Sequence, residues 1–353
     1  MLTEYSIADL DQMDDAALCR VPWKSLTAFN GRLLQLHGEG ALGNENSAKL
    51  PLLPILCINQ ISLIDETSIE ASFTFPEQAE DWPYVADESL EMLFQDQLDQ
   101  LVGFWGARKT EGIGRALSSA ASKLHQPIRF SPGKTLHYSL QKRKWVSNKD
   151  SEGGTAVFNG RITDDAGNLM LETRNIIVGI LRAADVHALR SQHGGMTELT
   201  PVTTTEGKLQ IPIYDTAIEN SELVDGSVAQ SFATQQINPS LWPLHYHFRG
   251  DPVVPGNFGT HGMIALVRDV AREVFGFQQP VFKSLDKKSF AGMIFQDDKQ
   301  IRFVLSDTHL NEDNAVVAAT GSLFLENTDG SRIVEDPIYT YRNITVVEAD
   351  SSD

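Results

Sequence analysis

Residues Leu241 to Met263 read LWPLHYHFRGDPVVPGNFGTHGM. His247 stands on a short run of large residues, where a strand is expected. Arg249-Gly250-Asp251-Pro252 then marks a turn. A second turn, Pro255-Gly256-Asn257, opens an apolar stretch that predicts a helix from about Phe258 to Phe275. The first N–H groups of a helix have no intrahelical partner, and the positive end of its dipole points the same way. The sequence thus holds a basic side chain just ahead of a helix N-terminus. A general base beside such an oxyanion site suits proton abstraction next to a carbonyl.

Outward from this stretch, strands are expected before His247 and at Ile301–Leu305, Ala315–Glu326 and Arg332–Val347. Residues 50–182 show the same order of elements. Ser68–Phe75 alternates as a strand. Glu91–Trp105 carries Leu93, Leu98, Leu101, Val102 and Trp105 at helix spacing. Strand-like runs follow at Ile128–Phe130, Thr135–Lys144, Thr155–Thr163 and Leu169–Leu181.

The repetition has a measurable offset. Leu101-Val102 recurs as Leu266-Val267, and 266 minus 101 gives 165. Lys123 and Lys288 stand at the same offset. Arg174-Asn175-Ile176 recurs as Arg342-Asn343-Ile344, 168 residues on. A tandem duplication is expected: a leader at 1–49, a first unit at 50–182, a linker at 183–208, a second unit at 209–349 and an acidic tail at 350–353. Glu39 to Ala48 reads as a polar stretch before the first unit, and the leader as a flap packed on it.

The 165-residue offset places Trp82 where the second unit has His247, and Asp96 where it has His261. Each unit therefore keeps half of an acid/base pair. If the units pack side by side as a pseudo-dimer, His247 and Asp96 can face each other, and Trp82 with His261 marks a silent counterpart.

Ile237 to Met263 resembles the active-site segment of the 3-hydroxydecanoyl-ACP dehydratase family, in the spacing of His, Gly-Asp-Pro-Val and Pro-Gly. In the first unit, Asp96-Gln97-Leu98-Asp99-Gln100-Leu101-Val102-Gly103-Phe104 resembles the helix carrying that family's catalytic aspartate. Gly114-Arg115-Ala116-Leu117 and Asn159-Gly160-Arg161 are also similar. The likeness covers most of 50–182 and 213–347. It implies an α+β fold, a tandem double hotdog in which an antiparallel sheet wraps a long central helix in each unit. A fused pair with one surviving site is similar to the dehydratase regions of polyunsaturated fatty acid synthases. Two departures stand out: Asn257 replaces the bacterial enzyme's cysteine, and the first unit lacks the Gly-Asp-Pro-Val turn.

The resemblance implies dehydration of a 3-hydroxyacyl thioester to the trans-2-enoyl thioester. His247 would take the C2 proton, Asp96 would protonate the leaving hydroxyl, and the Gly256 N–H would hold the thioester carbonyl. Isomerisation of trans-2 to cis-3 chains is also within the family's chemistry. No metal or redox cofactor is implied. The acyl chain would arrive on the phosphopantetheine arm of an acyl carrier protein.

Composition narrows the field. With Lys+Arg 29 against Asp+Glu 47, the net charge of -18 disfavours nucleic acid. No apolar run is long enough to span a membrane. The acidic N-terminus lacks a signal peptide's pattern, and Cys19 and Cys57 read as reduced thiols, which together predict a cytoplasmic protein. Lys134, Lys142, Arg143 and Lys144, with Lys283, Lys287 and Lys288, form a basic cluster. Such a cluster is ordinarily a solvated face, and here it is also the one obvious place for an acidic carrier.

Bland alternatives stand beside these roles. A histidine among aromatics is ordinarily structural, and His245 reads so. Asp251 would fix its turn. Asn257 would cap the helix or touch substrate, with the cap favoured. At the level of function, an acyl thioesterase and a non-catalytic acyl-chain binding module compete with the dehydratase.

Overall fold

The computed structural model describes residues 4–38, 55–85, 89–110, 113–148, 153–181, 208–237, 241–247, 253–295 and 300–349. The expected 39–48 stretch, nearly all of the linker, the 350–353 tail and the Gly250-Asp251-Pro252 turn lie outside these residues.

Among the described residues, thirteen strands form one antiparallel sheet. In chain order they are β1 (Gln60–Ile64), β2 (Ser68–Thr74), β3 (Ile113–Leu124), β4 (Thr135–Ser147), β5 (Gly154–Asp164), β6 (Leu169–Leu181), β7 (Glu219–Asn220), β8 (Leu223–Val224), β9 (Ser227–Gln236), β10 (Pro280–Phe290), β11 (Gln300–Leu310), β12 (Val316–Glu326) and β13 (Tyr339–Glu348). The spatial order is β1-β2-β4-β5-β6-β3-β10-β13-β12-β11-β9-β7, with β8 paired to β9. Read outward from the β3–β10 seam, both halves have the same order. At the seam Ser119 lies opposite Lys288 and Lys123 opposite Ser284.

Among the described residues the α-helices are α1 (Ile7–Asp11), α2 (Asp15–Leu18), α3 (Gly31–Gly38), α4 (Glu91–Thr110), α5 (Pro243–Tyr246) and α6 (Gly256–Glu273). The first three belong to residues 4–38, whose Leu10, Leu18, Phe29 and Leu33 are buried. Phe29 bridges Ile61 in β1. The two long helices, α4 and α6, each lie in the curve of one half-sheet and contact each other. This is the double-hotdog architecture.

Helix α4 is wrapped on nearly every side. Leu93, Leu98, Leu101, Val102 and Trp105 are buried, and so are Gln95, Asp96, Gln97 and Asp99. Burying those polar side chains requires hydrogen-bond partners. Gln97 has them: its carbonyl accepts from Cys57 N, and its amide donates to Ile55 O and Leu93 O, each at 2.9 Å. Where α4 crosses β3, a Cβ on Gly114 would lie 2.6 Å from Gly103 Cα, so the crossing needs glycine on β3.

Several expectations change. Pro243–Tyr246 is a helical turn rather than a strand, with proline in its first turn, where a missing N–H is harmless. Ile128–Phe130 is not a strand, and the last strand begins at Tyr339 rather than Arg332. Strands β3 and β10, which form the seam, were not expected from the sequence. The Lys123–Lys288 correspondence is off by one. Lys288 pairs with Tyr341 and Ser122 with Thr173, and Thr173 and Tyr341 adjoin the repeated Arg-Asn-Ile. Ser122 and Lys288 are both buried, whereas Lys123 is exposed, because a one-residue slip in a strand changes the face.

Candidate functional site

The site lies where α4 and α6 meet. His247 ends α5, and its backbone N–H donates to Pro243 O at 3.0 Å. Its carbonyl accepts from Val253 N at 2.8 Å, and its ring Nδ1 lies 3.1 Å from Val253 O. A carbonyl oxygen can only accept, so Nδ1 carries a hydrogen. Val253 is anchored in turn by a bridge to Phe295, and Val254 N donates to Ile294 O. The histidine is thus docked on its own loop, with Nε2 directed elsewhere.

Nε2 of His247 lies 3.3 Å from Nε2 of Gln100, and the same amide nitrogen donates to Asp96 Oδ2 at 3.2 Å. An amide NH2 only donates, so His247 Nε2 is an acceptor and the imidazole is the neutral Nδ1–H form. An imidazole in this form has a lone pair ready for a proton.

Asp96 also accepts from Asn257 Nδ2, at Oδ1, 2.9 Å. The same Nδ2 donates to Asp99 Oδ2 at 2.8 Å. The Asn257 carbonyl accepts from Lys288 Nζ, and Lys288 lies 3.5 Å from Asp99 Oδ2. These four residues are all buried, Lys288 to 1% exposure. Burial pushes the carboxyls of Asp96 and Asp99 above their ordinary range. It pulls the Lys288 ammonium down, against the attraction of Asp99 and Asp96. Cys57, buried beside Asp96, has its thiol pushed up by desolvation first and by that carboxylate second.

The expected residues therefore fall as follows. His247 and Asp96, 151 positions apart, converge on Gln100. Gly256 is the first residue of α6, against the Phe290 ring. Asn257 does not cap α6. Pro255 holds the N-cap position, and the Asn257 amide points into the carboxylates instead, where two acceptors outbid one helix N–H. Lys288 leaves the proposed basic surface cluster, since it is buried in the site. His261 and Trp82 lie apart from this network. Trp82 sits in an aromatic cluster with Phe73, Phe75 and Phe130. His261 lines a cavity of about 270 Å³ with Ser89, Ala265, Arg268 and Arg272, and burial pushes its pKa down to about 3.

By the 165-residue offset, Met92, Ile264 and Ala265 correspond to Asn257, Asp99 and Gln100. Ser122 occupies the place of Lys288, bonded to Gln95 and Thr173. The polar apparatus is one-sided. Sequence reasoning missed Gln100, Asp99 and Lys288 as members of the site. Gln100 had a signal, since it lies one turn from Asp96 on the same helix face. Lys288 had none.

Residues 218–335 match the FabA-like domain family. This FabA-like segment supplies His247, Gly256, Asn257 and Lys288, while Asp96, Asp99 and Gln100 come from outside it. No curated protein sequence matches the chain. Similar solved structures include the dehydratase domain of PpsC from Mycobacterium tuberculosis, 10% identical over 81% of this chain and 96% of that one, TM-score 0.42. The dehydratase domain of RzxB from Pseudomonas fluorescens is 7% identical over 83% and 98%, TM-score 0.43. An acyl-ACP thioesterase from Bacteroides thetaiotaomicron is 11% identical over 79% and 97%, TM-score 0.43. Among the described residues, no helix is long and apolar enough to cross a membrane, and no cluster of His, Cys, Asp and Glu could hold a metal.

Proposed function

We propose that the chain dehydrates 3-hydroxyacyl thioesters carried on an acyl carrier protein, at one composite site between residues 50–182 and 209–349 packed as a pseudo-dimer. The equivalent strands β3 and β10 pair antiparallel with each other, as a local two-fold requires. His247 Nε2 takes the C2 proton. Electron density moves into the thioester carbonyl, held by the Gly256 N–H at the start of α6. The C2–C3 double bond forms as the C3–O bond breaks, and Asp96 gives its proton to the departing hydroxyl, releasing water. A proton passed from the imidazolium to the Asp96 carboxylate restores both groups. The same pair could shift the double bond from trans-2 to cis-3. No resident metal or redox cofactor enters these steps.

The single observation that supports the reading is the convergence of a neutral imidazole and a desolvated carboxyl on the Gln100 amide. Burial favours the protonated carboxyl that a general acid needs.

The test is enoyl formation from a medium-chain 3-hydroxyacyl thioester, followed by absorbance for wild type, His247→Ala and Asp96→Asn, with free thiol measured in parallel. Enoyl formation lost in both variants supports the composite site. Thiol release without enoyl formation would instead indicate a thioesterase. Acyl binding with neither product would indicate a binding module.

A further inference from the structure

Beyond His247, Asp96 and Gly256, the site holds a buried lysine and a second buried carboxylate that the elimination does not use. Asn257 joins them to Asp96. Its two amide hydrogens go to two different carboxylates, and its one carbonyl accepts from an ammonium. Turned over, the amide would set its oxygen against both carboxylates and its NH2 against Lys288. The charges on either side therefore fix its orientation.

Lys288 is an ion-pair partner of Asp99, at 3.5 Å, and reaches Asp96 through the intervening amide. We propose that Asp99, Asn257 and Lys288 form a positioning unit for Asp96. Asp99 holds the lysine's charge, Lys288 holds the amide, and the amide holds Asp96 Oδ1, so that Oδ2 keeps a proton and faces the reaction. This inference rests on the dehydratase reading for its purpose, since a general acid must enter the reaction protonated.

The groups facing Asp96 come from every side. Asp99 and Gln100 are on its own helix. Asn257 comes from α6, Lys288 from β10 and Cys57 from the segment before β1, while His247 approaches through Gln100. Only Asp99 and Lys288 oppose each other in charge. Removing Asp99 would leave the lysine's charge to act on Asp96 and favour its carboxylate. Removing Lys288 would leave two carboxyl groups sharing one amide and favour a retained proton. Removing both would restore the balance.

The experiment is a carbon-13 titration of the Asp96 carboxyl in the full chain, with its resonance assigned by Asp96→Asn. Wild type, Asp99→Asn, Lys288→Met and the double variant are compared. The midpoint is expected to fall in Asp99→Asn and to rise in Lys288→Met, each by about one to three pH units. It should return close to wild type in the double variant. Should Lys288→Met fail to fold, Asp99→Asn and the double variant decide the matter. A midpoint unmoved by Asp99→Asn, or a double variant that folds yet stays shifted, overturns the proposal. The titration needs no turnover. A wild-type chain that dehydrates nothing would sink the dehydratase reading and leave this result standing.

Discussion

His247 Nε2 and Asp96 Oδ2 meet at one atom, the amide nitrogen of Gln100, at 3.3 and 3.2 Å. One residue thus sets the spacing of these two side chains while donating to both. Gln100→Leu keeps the side chain's bulk and removes both hydrogen bonds. The expected result is a kcat lowered by roughly ten- to a hundredfold, the equivalent of about 1–3 kcal/mol, with KM changed far less. Steady-state kinetics check it, and a KM effect alone would mean that Gln100 only shapes the pocket.

A second prediction concerns acid stability. His261 is buried and neutral, with its pKa pushed from 6.5 down to about 3, by burial first and the Arg268 charge second. The unfolded chain binds this proton near pH 6.5 and the folded chain does not. Stability from this residue is therefore present above pH 6.5 and is lost as pH falls toward 3. Urea titrations from about pH 7 to pH 4 should show wild type losing on the order of a few kcal/mol more than His261→Gln. Parallel curves would mean that His261 takes up its proton in the fold as readily as in the unfolded chain. Under the proposed dehydratase reading, in which His247 and Asp96 carry the reaction, the variant should keep its activity at neutral pH.

Legibility in the sequence followed burial pattern. Helix α4 was readable because its apolar residues recur at helical spacing, and α6 because Pro255-Gly256 marks its start. The 165-residue offset singled out His247 and Asp96, and the fold brings both to the Gln100 amide. The seam strands were not. β3 reads IGRALSSAASKL, mostly small residues, and β10 holds Lys283, Lys287 and Lys288, so neither shows the alternation of a strand with one wet face. Lys288 was misread for the same reason. A lysine in a basic run is ordinarily solvated, and only the three-dimensional meeting with Asp99 and Asn257 explains its burial. The helical turn that His247 ends was not legible, because the apolar run there is too short for its periodicity to separate turn from strand.

Close helix–sheet contact in the second half gives a stability prediction. A Cβ on Gly262 would lie 2.7 Å from the Phe303 ring. Gly262→Val should shift the ring or the helix and destabilise the fold by about 1–3 kcal/mol, read from the urea midpoint. An unchanged midpoint would mean that α6 lies further from β11 than a 2.7 Å approach of a Cβ on Gly262 to the Phe303 ring requires.

The role of Asn257 separates two energies. A helix cap, the reading favoured by its sequence position, would cost about 1 kcal/mol on truncation and leave catalysis alone. The bridge between Asp96, Asp99 and Lys288 has three buried partners, and Asn257→Ala takes one hydrogen bond from each of them. Buried charged groups deprived of a partner cost on the order of 3 kcal/mol or more. The variant should therefore be markedly less stable, and the folded fraction should lose activity, since Asp96 Oδ1 is no longer held. Calorimetry and kinetics on the same preparation measure both. A loss near 1 kcal/mol with full activity would return Asn257 to the helix end and leave the carboxylates to organise themselves.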